Sequence, residues 1–345
     1  MEQHYISSLI RRHYRQLIRI STALDGKFAE KDVHAFRVEV KKLRALLRLT
    51  ASAHESHSTP VMPQRLHTFY KMTGEIRNLQ VQRKSLIAFA EKMQRRLPAA
   101  PTALLDERIH AAVIIAQQYM DKEHPFDEKE KLLASLPQKI DLAAMKKFIR
   151  REMKPFRSLA NALSLANVPS PAHALSLPHA PSLAHSPSPE TAVDSFTPTA
   201  PLSGLAFTTI RDEEMLHTLR KSLEDLVYTW PMMDKRARND INPAGQTSKK
   251  GIALLSALLG DFRDCCLCLS LFQDEDFLFY SGQPAKPFLQ SAADTWLQDK
   301  KTLLEKINRS LLPAHRRPYA RGTLNGAPNP HVHAHRISTA AAQAP

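Results

Sequence analysis

Apolar residues along this chain recur at helical spacing rather than in the alternation of strands. In residues 34–48, HAFRVEVKKLRALLR, the side chains Phe36, Val40, Leu43 and Leu47 follow the i, i+4, i+7, i+11 series of one helix face. In residues 217–231, HTLRKSLEDLVYTWP, Leu219, Leu223, Leu226 and Trp230 repeat that series at an offset of 183, with His34 falling on His217 and Arg37 on Arg220. Downstream, GEIRNLQV (74–81) matches GDFRDCCL (260–267) at an offset of 186, pairing Gly74 with Gly260 and Arg77 with Arg263. Two matching blocks in the same order predict an internal duplication, each copy burying its apolar face against the other.

Between and after these regions the pattern stops. Residues 158–205 are rich in Pro, Ser and Ala and carry no Lys or Arg, which predicts a disordered linker. The tail 313–345, rich in Pro, Arg, His and Ala, reads the same way. The predicted organisation is a first helical repeat over 1–157, the linker, a second helical repeat over 206–312, and the tail. His173, His179 and His185 in the linker and His331, His333 and His335 in the tail read as compositional bias rather than metal sites.

Charge changes the picture. The 345 residues hold 48 Lys and Arg against 34 Asp and Glu, a formal net charge of +14. Residues 1–157 alone hold 30 Lys and Arg against 17 Asp and Glu, so nearly all the excess lies in the first half. A polyanionic partner is the natural consequence. Only 9 glycines are present, and neither a G-x-x-x-x-G-K-[ST] loop nor a G-x-G-x-x-G turn occurs, which argues against a P-loop NTPase or a Rossmann dehydrogenase. The longest purely apolar run is Ala111 to Ala116, far below the ~18 residues of a membrane span. Cys265, Cys266 and Cys268 form no disulfide framework and read as core-packing thiols. A soluble, cytoplasmic protein is expected.

A wheel of 34–48 locates the excess. At ~100° per residue, His34, Arg37, Lys41, Arg44 and Arg48 share an arc of about 80°, apart from the apolar face. Like charges three and four residues apart repel by a few tenths of a kcal/mol per pair. Phosphates laid along the stripe reverse the sign, because each charge-assisted bond contributes about 1.5–3 kcal/mol. Lys42 lies off the stripe. In the second copy His217, Arg220 and Lys221 remain basic, but Glu224 stands at the position of Lys41, Asp225 at that of Lys42, and Pro231 at that of Arg48.

His34-Ala-Phe-Arg37-Val-Glu-Val-Lys41-Lys42-Leu43-Arg44, followed by Gly74-Glu-Ile-Arg77-Asn78, resembles the signature of the CHAD domain, the conserved histidine α-helical domain. His217-Thr-Leu-Arg220 with Gly260-Asp-Phe-Arg263-Asp264 resembles the second half of its repeat. The resemblance implies an all-α fold of long helices in two pseudo-symmetric bundles around a basic channel. It also implies binding of inorganic polyphosphate and association with polyphosphate granules. Carried over by position, the phosphate contacts are His34, Arg37, Lys41, Lys42, Arg44, His217 and Arg220. Arg77 and Arg263 match the Gly-x-x-Arg-Asp element, with Asn78 where Asp is usual. Arg48 and Lys221 join the set from the stripe itself.

Two other readings compete. An accessory role in phosphate-polymer metabolism, or catalysis, would call for a carboxylate constellation; Glu128-Lys129-Glu130-Lys131 departs from the Glu-x-Glu-x-Lys of triphosphate tunnel enzymes and reads as a helix surface. No catalytic group and no cofactor is expected. Sequence-independent nucleic-acid binding shares the electrostatics, but aromatic content is only 7%, and single-strand readers depend on exposed rings.

Overall fold

A computed structural model describes residues 1–24, 26–53, 60–166, 210–233, 235–239 and 248–311. Eleven α-helices lie among them: α1 (Gln3–Leu24), α2 (Glu30–Ala51), α3 (Gln64–Lys92), α4 (Ala99–Glu123), α5 (Lys129–Ala134), α6 (Leu142–Ala166), α7 (Ile210–Thr229), α8 (Lys235–Asn239), α9 (Lys249–Leu269), α10 (Glu275–Ser281) and α11 (Lys286–Leu311). Short 3-10 turns join some of them, and the one extended pairing among the described residues is an isolated bridge between Glu2 and Lys139. The fold is all-α.

Local chemistry sets the helix ends. Pro63 and Pro98 precede α3 and α4, where a missing N–H costs nothing because the first turn has no acceptor for it. Ser248 starts α9 by accepting from the Gly251 amide, and Asp274 starts α10 by accepting from the Phe277 amide. In α2, Glu30 and Asp32 in the first turn and Arg48 in the last complement the helix dipole. Pro231 ends α7, so Trp230, the last member of the predicted apolar series, sits half-buried in a 3-10 turn. The α6 helix runs on to Ala166, beyond position 158 where composition placed the start of the linker. Most of that linker and all of the tail lie outside the described residues, as do their histidine runs.

Helix α2 is the hub, packed against α1, α3, α6 and α7. Its predicted face is buried as expected: Phe36, Val40, Leu43 and Leu47 are at most 2% exposed. Ala45, Leu46 and Leu49 are buried too, so apolar contacts cover well over half its circumference. The Phe36 ring meets Phe69 of α3 edge-on at 5.2 Å. Leu219, Leu223 and Leu226 of α7 join the same core. A second apolar cluster, with Phe89, Leu105, Phe277, Phe288 and Trp296, lies where the C-terminal halves of α3 and α9 meet α4, α10 and α11. Burial of each such side chain contributes about 1.5–3 kcal/mol, and this packing holds the cationic edge of α2 against α7.

Candidate anion-binding site

The basic edge of α2 does not project into open solvent. It faces α7, and the polar residues of α7 reach back to it. Lys41 Nζ donates to Glu224 Oε1 at 3.0 Å, and Arg220 Nη1 lies 3.4 Å from the same oxygen. Arg44 Nη2 donates to Asp225 Oδ1 at 3.3 Å. Arg48 Nη1 lies 2.9 Å from Asp225 Oδ2, an ion pair whose angle falls short of a hydrogen bond. Arg48 Nη2 donates to both oxygens of Glu152 on α6, at 2.9 and 3.0 Å. Lys41 and Glu224, superposed at the offset of 183, thus face each other in space.

The acids are deeper than the bases. Asp225 and Glu152 have fully buried carboxylates, whereas the side chains of Arg44 and Arg48 keep 22% and 38% of their surface. Even so, several buried polar nitrogens are unspent. Arg44 Nε, Arg220 Nε and the Nδ1 ring nitrogen of His217 are buried with no hydrogen-bond partner among the described residues, an arrangement that costs about 1–3 kcal/mol per group.

Two glycines set the spacing of the arginines. The Arg37 guanidinium lies over Gly74 of α3, donates from Nη1 to the Tyr70 carbonyl at 2.8 Å, and stacks 4.4 Å from the Tyr70 ring centre. A Cβ on Gly74 would meet Arg37 Nη1 at 2.7 Å. Across the molecule Gly260 of α9 sits beneath Arg220 with more room, its Cβ position being 3.8 Å from Arg220 Nη1. The substitutions are therefore expected to differ in sign. Gly74→Ala overpacks a pinned side chain at a cost of about 1–3 kcal/mol, outweighing the ~1 kcal/mol of helix propensity it gains. Gly260→Ala keeps the propensity gain of about 0.5–1 kcal/mol. Melting midpoints check this, and shifts of the same sign would refute it.

Further cations surround the groove between α2 and α7, the line along which their charged edges meet. His34 is exposed at its α3 side, its pKa pulled down by burial and by Arg77 and Lys41. His217 is driven to about 4 by burial and by Lys221, Arg220 and Arg263, so it is neutral at pH 7. Lys221 is also held below its ordinary value, by burial and by Arg44, Arg220, Arg263 and Arg48. His217 and Arg263 line a pocket of about 280 Å³ with Glu213, Glu214, Phe262 and Cys266. Arg77 is engaged outside the groove, donating to Glu30 at 2.7 Å beside Lys84.

Lys42 stands apart. Its Nζ donates to Glu39 Oε2 at 3.0 Å, and Glu39 Oε1 meets the buried His13 Nδ1 of α1 at 2.7 Å. The structure therefore brings together Lys41, Arg44, Arg48, Arg220 and Lys221, flanked by His34, Arg37, His217 and Arg263, and sets Lys42 toward α1. The wheel already placed Lys42 off the stripe. Sequence reasoning missed Glu152 and its second partner Arg151, whose Nε donates to Glu152 Oε1 at 2.9 Å. A lone acid in a six-cation run is the only signal that pointed there. Burial raises the thiol pKa of the half-buried Cys265 and Cys266 to about 12 and of the buried Cys268 to about 11, so all three stay protonated at pH 7.

Against known proteins, the family model for the CHAD domain matches residues 8–273, most of the chain and both groove helices. The chain belongs to the CHAD domain family. By fold, this CHAD protein is similar to the crystal structure of the CHAD domain from the plant Ricinus communis, with a TM-score of 0.53 and 15% identity over 90% of this chain and 91% of that one. It is also similar to PptA from Streptomyces chartreusis, with a TM-score of 0.48 and 16% identity over 90% of this chain and 97% of that one. No curated protein matches it. No described helix of this CHAD protein is long and apolar enough to cross a membrane.

Proposed function

We propose that this CHAD protein binds inorganic polyphosphate without acting on it chemically, and that it works in the cytoplasm at polyphosphate granules. The observation that carries the reading is the convergence on one groove of Lys41, Arg44 and Arg48 from α2 with Arg220 and Lys221 from α7, where two guanidinium nitrogens and one imidazole nitrogen lack partners among the described residues. Arginine grips phosphate oxygens in bidentate fashion, and lysine adds a mobile point charge. Binding here is an exchange. Phosphate oxygens take the place of Glu224, Asp225 and Glu152 on cations that already have carboxylate partners, so each contact gains less than it would at a free arginine.

The test is titration with long-chain polyphosphate and with length-matched single-stranded DNA over about 50–200 mM salt, where multi-phosphate contacts lose affinity steeply. Polyphosphate is expected to bind about tenfold or more tightly at every salt concentration, because Tyr70 is covered by Arg37 and Tyr228 is half-buried, which leaves bases little to stack on. Equal affinity for the two polymers would remove the case for polyphosphate and leave a general anion groove.

A further inference from the structure

The outer face of α6 carries a second row of cations that the first does not include. Lys147, Arg150, Lys154 and Arg157 are exposed, and at ~100° per residue they share an arc of about 80°, spread over roughly 15 Å of helix. None of the four makes an ion pair among the described residues. The one acid of α6, Glu152, is buried and turned inward to Arg48 and Arg151. Glu214 of α7 shares a groove with Lys154 but forms no ion pair with it. Neighbouring like charges on a helix surface are usually relieved by interspersed acids, and here they are not.

This row is also continuous with the groove. Arg151 Nη2 donates to the Arg48 carbonyl at 3.0 Å, while its Nε and the Arg48 guanidinium share Glu152. Arg151, beside Arg150 and one turn before Lys154, thus links the end of the α2 stripe to the middle of the α6 row.

We infer that the outer face of α6 is a second binding strip for the same linear polyanion, taking up the chain as it leaves the groove at Arg48. This rests on the groove reading for its ligand, but the strip has residues of its own. The protein then favours chains long enough to occupy both surfaces, and the strip adds to affinity only for those. An anionic lipid surface is the rival ligand for exposed cations of this kind. Two features favour a linear chain: the row is narrow, and Arg151 joins it to the end of the α2 stripe at Arg48.

The experiment compares wild type, the strip variant Lys147→Gln/Arg150→Gln/Lys154→Gln/Arg157→Gln and the groove variant Lys41→Gln/Arg44→Gln/Arg48→Gln. Each is titrated with tripolyphosphate, with long-chain polyphosphate and with vesicles rich in phosphatidylserine, and melting midpoints confirm folding. The strip variant is expected to bind tripolyphosphate as wild type does, to lose about tenfold in affinity for the long chain, and to show a shallower salt slope. Wild-type affinity of the strip variant for the long chain overturns the inference, and so does a wild type that does not favour the long chain over tripolyphosphate. A defect confined to vesicles also overturns it and makes α6 a membrane strip. If the strip variant is impaired while the groove variant binds normally, the groove reading fails and the strip stands.

Discussion

Glutamine at Lys41, Arg44 and Arg48 together is expected to weaken polyphosphate binding by about a hundredfold while leaving the helices in place. The estimate starts from about 1 kcal/mol net per contact, since each cation must first leave a carboxylate, and three such contacts amount to about two powers of ten. Removing three phosphate contacts should also flatten the salt dependence by about 2 in log–log slope. Glutamine suits the test because it removes the charge and keeps a polar amide beside Glu224, Asp225 and Glu152, which would otherwise be buried acids with fewer partners. The three substitutions leave the apolar face of α2 untouched, where Phe36 and Leu43 are fully buried. Titration at fixed salt reads the affinity, and the thermal midpoint reads the fold. Unchanged affinity in a folded variant would move the site off α2.

The basis of that prediction was partly legible in the sequence. The α2 stripe could be read because a helix imposes one period on every side chain, so Phe36 through Leu47 and His34 through Arg48 separate onto two arcs without knowledge of any neighbour. The paired glycines were legible as a recurring motif, but their purpose was not. That Gly74 makes room for the Arg37 guanidinium is a contact between residues more than thirty positions apart. In the sequence alone, Glu224 and Asp225 stand as departures from a basic pattern. The structure gives them a different sense, because α7 packs on α2 and sets those acids against the cations of α2. Glu152 was invisible for the same reason: it is 104 residues from Arg48 in sequence and meets it only through the packing of α6 on α2. Local period can be read from one segment, whereas ion pairs between segments depend on which faces meet.

If those acids compete with phosphate, removing one should strengthen binding, and Asp225→Asn is the sharpest case. Asp225 holds Arg44 and Arg48 at once with a side chain that has no solvent exposure. Burial pushes its carboxyl up to about 6 from an ordinary 3.8, against the pull of the two arginines. A carboxylate whose pKa is raised by folding opposes folding when ionised. That cost is present above about pH 6 and fades as pH falls through 6 toward the unfolded value. Asparagine removes it, so the loss of two ion pairs is offset, and stability at pH 7 is expected to change by no more than about 1 kcal/mol. Arg44 and Arg48 retain enough exposure to rehydrate, and Arg48 keeps Glu152. Affinity for polyphosphate at pH 7 should rise about tenfold, since two guanidinium groups no longer have to be released from Asp225. Acidification from pH 7 to 5 should do the same to the wild type by protonating Asp225, and do less to the variant, which has no carboxyl there. His217, at about 4, stays neutral for most of that window. His34, held below its ordinary 6.5, gains charge equally in both proteins. The informative quantity is therefore the difference between the two pH profiles. Convergence of the affinities toward pH 5 is the expected result, and parallel profiles would mean that Asp225 does not compete with phosphate through its charge.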